Sequence, residues 1–153
     1  MTFEEELAKS GRLIYTNKGI SMMPLLREKR DVMIIEKCSP CDIKRLDAVL
    51  FMRMTGDEKA YVMHRVLRLE PDGSFFIAGD NCISGENVRP EMILGRLTGV
   101  IRDGKRIDVK SKSYLFYVHL WCDIYPLRFL ILRFRNFSIR CLRYAKRRIK
   151  HEG

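Results

Sequence analysis

The chain has 153 residues, 46% of them apolar and 31% charged, with a mean hydropathy of -0.18. That length and apolar fraction suit one folded unit with a real core, and the charge content argues against both a disordered chain and an integral membrane protein. The net charge of +10 is uneven: residues 1–125 carry 20 Lys and Arg against 18 Asp and Glu, whereas residues 126–153 carry nine basic residues against Glu152 alone.

The acidic start, Met1-Thr-Phe-Glu-Glu-Glu, is unlike the basic and then apolar start of a secretory signal. No uncharged apolar stretch of about 18 residues reads as a spanning helix. Five cysteines (Cys38, Cys41, Cys82, Cys122 and Cys141) form an odd set. The expectation is reduced thiols in the cytoplasm. Cys38-Ser-Pro-Cys41 has metal or redox spacing, but no second pair follows at zinc-site spacing. A turn is the favoured reading, and neither a metal nor a cofactor is expected.

In chain order, residues 3–10 read as a short helix, with Thr2 and Glu5 at capping-box spacing and Gly11 placed to end it. The pattern then changes to short β-like runs: Arg12–Thr16, Val32–Glu36, Ala48–Arg53, Tyr61–Glu70, Ser74–Ala78, Ile93–Arg102 and Lys105–Val109. Pro71-Asp72-Gly73 and Asp103-Gly104 read as hairpin turns, the second of type I′. The expected fold is therefore mainly β over residues 1–112, with a helical tail over 113–153.

Tyr114–Tyr125 is aromatic and apolar apart from His119 and Asp123. Beyond Pro126, a helical wheel gathers Leu127, Leu130, Ile131, Phe134, Phe137, Cys141 and Leu142 on one face. Arg128, Arg133, Arg135, Arg140 and Arg143 fall opposite, while Phe129, Leu132 and Ile139 stray toward them. Such a segment suits an anionic membrane surface, with residues 126–150 as the contact. The competing reading is a helix packed on the β core or on a second subunit. Nucleic acid is disfavoured because it leaves the aromatic face without a use. The oligomeric state is not legible.

Three separated pieces carry chemistry. In Gly19-Ile20-Ser21-Met22-Met23-Pro24, a serine between Gly and Pro can sit on a turn with its hydroxyl accessible and its N–H free for an oxyanion. An ordinary loop is the competing reading. In Tyr61-Val62-Met63-His64-Arg65-Val66, strand alternation puts His64 with Val62 and Val66, as a general base or as a core histidine. Asp80, in Ala78-Gly79-Asp80-Asn81, either orients an imidazole or caps a turn.

Taken together and in this order, G-x-S-M-x-P, the Leu-Asp-Ala-Val-Leu-Phe run, Y-V-x-H-R-V and G-D-N resemble the signal peptidase I family of serine peptidases, whose wider superfamily includes self-cleaving repressors. The resemblance spans roughly residues 18–100. It implies a β-ribbon or partial-barrel core, with Ser21 as nucleophile, His64 as general base in the Ser–His branch and Asp80 as its favoured acidic partner. Glu86 is the other acidic residue it offers, and Gly79 and Asn81 shape the loop. Gly19 stands where many members carry a hydroxyl donor, so the oxyanion donors would be backbone N–H groups, chiefly that of Ser21. Leu46-Asp47 replaces the usual Gly-Asp before the strand. The implied substrate is a precursor or leader peptide cut after small residues. The alternative is a non-catalytic regulatory or binding module on the same fold.

Overall fold

The computed structural model describes residues 2–123, 128 and 130–141. Residues 1, 124–127, 129 and 142–153 lie outside that set, and with them Leu127, Phe129, Leu142 and Arg143 of the expected tail helix.

Helix α1 (Phe3–Ser10) opens on the reciprocal Thr2–Glu5 capping box and closes on Gly11 in the left-handed region, φ 70°. Eight strands follow: β1 (Arg12–Thr16), β2 (Val32–Glu36), β3 (Ala48–Thr55), β4 (Glu58–Leu69), β5 (Phe75–Ala78), β6 (Glu86–Val88), β7 (Ile93–Arg102) and β8 (Lys105–Asp108). They pair antiparallel in the order β1-β2-β7-β3-β4-β5-β6, with β8 on β7, as an open sheet. The protein is mainly β, as its sequence indicates. Strands β3 and β4 extend further toward one another than the residue pattern implies, and the three-residue β6 has no counterpart in it. At the β7–β8 turn Asp103 and Gly104 both have positive φ, 50° and 74°, as a type I′ hairpin requires.

Register shifts between Ile34 and Ile35, Leu50 and Phe51, and Val66 and Arg68 bend the sheet around two cores. One gathers Leu7, Met22, Leu26, Ile35, Leu50 and Leu97; the other gathers Val49, Phe51, Val66, Ile77 and Val88. Met22 and Leu26, both buried, plug the long β1–β2 connection into the first core. Further backbone bonds, Asn17 N–H to Asp31 at 2.9 Å and Lys29 N–H to Asn17 at 2.9 Å, close that connection. The connection is thus irregular but anchored at both ends. Cys38 precedes and Cys41 lies within a short 3-10 turn, Pro40–Asp42, capped by Ser39.

Helix α2 (Lys112–Cys122) starts at Ser111 and packs Tyr114, Val118 and Cys122 against Leu25, Leu46 and Leu67. Residues 130–141 are helical. No helix among the described residues is long and apolar enough to cross a membrane. The tail helix does not turn its apolar face inward. Leu130, Ile131, Phe134 and Phe137 are 61%, 46%, 71% and 60% exposed, whereas Arg128 and Leu132 are buried. The stray leucine on the basic face is the one that packs.

Candidate functional site

Ser21 and His64 open onto the same groove. Ser21 sits half-buried at the start of a turn, between the buried anchor Met22 and the exposed Ile20. His64 lies in the middle of β4, opposite Val49 on β3, with its ring 5.9 Å from that of Phe51. A cavity of about 570 Å³ joins them, lined also by Lys18, Arg53, Cys82 and Glu86.

The 79–82 loop locks the two sides together. Asn81 donates its backbone N–H to the Ser21 carbonyl at 2.7 Å and its side-chain amide to the Ile20 carbonyl at 3.0 Å. A Cβ on Gly79 would lie 2.6 Å from the Ser21 carbonyl oxygen, 2.7 Å from Cys82 Sγ and 3.0 Å from His64 Nε2. Only glycine allows the strand end, the serine and the imidazole to approach so closely. His64 Nε2 therefore faces the serine side of the groove.

At rest no hydrogen bond joins Ser21 to His64 among the described residues. Catalytic bonds of this kind are commonly long until substrate binds. The N–H of Ser21 makes no hydrogen bond among the described residues, whereas that of Gly19 is taken by Glu28 at 3.1 Å. Gly19 contributes its positive φ of 99° to the turn rather than a free donor.

The two carboxylates differ sharply. Asp80 is fully buried and bound through both oxygens by Arg65, Nε to Oδ1 and Nη2 to Oδ2, each at 2.8 Å. Tyr117 donates to Oδ2 at 3.1 Å and Trp121 donates to the Asp80 carbonyl at 2.8 Å. Adjacent strand residues point to opposite faces, so Arg65 carries Asp80 away from the face that holds His64. The expected assignment of Asp80 as the group that orients His64 is not the arrangement found: its oxygens are engaged by Arg65 and Tyr117. Glu86, at the start of β6, is the carboxylate beside the imidazole, with Oε1 3.9 Å from Nδ1. It accepts a hydrogen bond from Arg53 Nη1 at 3.1 Å, and the buried Nδ1 has no hydrogen-bond partner among the described residues.

Electrostatics follow from this layout. Burial is the main cause pushing the His64 pKa down to about 4, and the Arg53 cation adds to it against the opposing pull of Asp80. The imidazole is thus neutral at pH 7 and free to accept a proton. Burial alone would lower the pKa of Arg65, but the Asp80 carboxylate outweighs it and holds Arg65 charged. Tyr117 is pushed up by burial and then by the Asp80 charge, which keeps it a donor. Burial raises the Cys82 thiol, making it a poor nucleophile.

Residue patterning did not reveal Arg65, Tyr117, Trp121 and Arg128 as parts of this neighbourhood. An arginine beside a candidate histidine in a β run was the one available sign. Arg128 donates to the carbonyls of Gly79 and Cys82, and Arg135 donates to Asn81 Oδ1 at 2.8 Å. The loop is thus held by Ser21 on one side and by helices on the other. Among the described residues no group of three or more His, Cys, Asp or Glu is placed to hold a metal ion.

Fold and site together define a mainly β protein with a serine and a neutral histidine sharing one groove. No protein-family model, no curated protein and no solved structure matches the chain.

Proposed function

We propose that the protein is a serine endopeptidase of the signal peptidase I type that cleaves precursor or leader peptides. The observation that carries this reading is the shared groove of Ser21 and His64, with Gly79 absent of a side chain at their meeting point. An extended peptide laid along the groove would present its carbonyl to Ser21 Oγ. Neutral His64 Nε2 takes the hydroxyl proton as Oγ attacks, and the Ser21 N–H donates to the developing oxyanion. The imidazolium then returns the proton to the leaving amine, and water hydrolyses the acyl-enzyme by the same base.

Glu86 is the orienting carboxylate in this scheme. It must move about 1 Å toward Nδ1 to reach an ordinary hydrogen bond. Asp80 acts indirectly, by fixing the loop that carries Gly79 and Asn81.

The test is cleavage of a peptide library, read by mass spectrometry, with wild type, Ser21→Ala and His64→Ala. Specific cleavage by wild type alone supports the assignment. Cleavage that persists in Ser21→Ala refutes this mechanism, and a folded wild type that neither cleaves nor acylates favours a binding role for the groove.

A further inference from the structure

We infer that the outward face of the C-terminal helix is a docking surface for an anionic lipid bilayer, and that it sets the Ser21 groove at the membrane interface. The helix is two-sided. Its inner side, Arg128, Leu132 and Arg135, follows the i, i+4, i+7 spacing of one face and holds the 79–82 loop. Its outer side presents Leu130, Ile131, Phe134 and Phe137, of which Phe134 is 71% exposed.

The apolar surface continues onto the rim of the groove. Ile83 shares a hollow of about 390 Å³ with Phe137, Arg133 and Arg140, and it is itself 42% exposed. Ile20, 56% exposed, is the neighbour of Ser21 whose carbonyl is tied to Asn81, the residue that Arg135 also binds. The apolar surface therefore runs from Phe137 to Ile83, the chain neighbour of the groove residues Cys82 and Ser84, and the exposed Ile20 adjoins Ser21 itself.

Charge selects the occupant. Arg133 and Arg140 are exposed beside this face, and no acidic residue occurs between residues 124 and 151. Two exposed arginines flanking aromatic side chains match an anionic headgroup layer over acyl chains. They fit a second copy of the same face poorly, because arginine would oppose arginine.

This inference adds a location to the proposed peptidase without depending on its chemistry, so binding is measured on Ser21→Ala protein. Full-length protein is sedimented with vesicles of phosphatidylcholine alone and with 30% phosphatidylglycerol, at low and high salt. The expected result is at least ~10-fold tighter partitioning to the anionic vesicles, weakened by salt. Phe134→Ser/Phe137→Ser and Arg133→Gln/Arg140→Gln should each lose ~10-fold or more, with unchanged circular dichroism and melting, since all four side chains are exposed. Equal partitioning by wild type and the folded double variants overturns the inference. So does a wild type that ignores vesicles but dimerises through the same phenylalanines in sedimentation equilibrium.

Discussion

Glu86 Oε1 stands 3.9 Å from His64 Nδ1 while it accepts a hydrogen bond from Arg53 at 3.1 Å. The carboxylate is thus shared between a guanidinium that holds it at rest and an imidazole that needs it once a proton has been taken. Protonation of His64 would shift the balance, because the imidazolium then offers Glu86 a charged donor. Glu86→Gln should therefore lower kcat by ~10- to 1000-fold with little change in KM, the pattern of a contact made mainly in the transition state. Its melting temperature should stay near that of wild type, because Glu86 is a partly exposed group. Steady-state kinetics with one cleaved peptide decides it, and unchanged kcat would remove Glu86 from the mechanism.

Asp80 predicts the opposite signature. Its pair with Arg65 is fully buried, and removal of one partner leaves an uncompensated charge in a low-dielectric site. Asp80→Asn should cost about 3–5 kcal/mol of stability. Chemical denaturation would show a lowered midpoint, and activity should fall along with the folded fraction. A stable Asp80→Asn protein that is catalytically dead would instead return Asp80 to a direct role.

The pH dependence follows from His64. Its folded pKa of about 4 lies below the ordinary imidazole value of 6.5, so the unfolded chain binds this proton more readily. The fold consequently keeps the full benefit of a neutral buried His64 above pH 6.5 and loses it as pH falls toward 4. The loss runs at up to about 1.4 kcal/mol per pH unit in that window. His64→Gln should flatten this part of the stability profile. The acid limb of kcat/KM, which reports the free enzyme, should likewise fall near pH 4 rather than near 6.5. Arg53→Gln removes one cation and frees Glu86, so it should move that limb upward by ~1 unit. A limb that stays near 6.5 in wild type would mean that His64 is not the base.

The strands, the Asp103-Gly104 hairpin and the first helix were legible because their signals are local: alternation, turn chemistry and capping. Ser21, His64, Gly79 and Asn81 were named through the order of their motifs in the family resemblance, each segment being weak alone, and the fold brings the four next to one another. Which carboxylate faces His64 was not legible. That depends on Arg65 and Asp80 meeting on the face of β4 opposite His64, a pairing across fifteen residues that periodicity does not encode. The tail helix was legible as amphipathic, but its orientation was not. Arg128 and Arg135 accept buried or loop-bound positions because carbonyls and Asn81 wait there, and these acceptors come from a distant strand end.

Gly79 gives the sharpest test of the geometry, because its demand is steric rather than conformational. A methyl group there would be driven to 2.6 Å from the Ser21 carbonyl oxygen, a backbone atom, and 2.7 Å from Cys82 Sγ. Neither the Asn81-tied Ser21 backbone nor the Arg128-held loop can yield without moving the nucleophile. Gly79→Ala should therefore cost ~1–3 kcal/mol from overpacking. It should also lower kcat/KM by ~100-fold, the typical effect of a 1 Å misplacement of a reacting group. Gly11→Ala is the matched control. Gly11 has a φ of 70° with open space around it, so alanine there is strained by about 1–2 kcal/mol yet touches nothing near the groove. Gly11→Ala should lose stability and keep kcat/KM when measured on folded protein. If Gly79→Ala behaves like Gly11→Ala, the close approach of Ser21, Cys82 and His64 is not what sets the catalytic geometry.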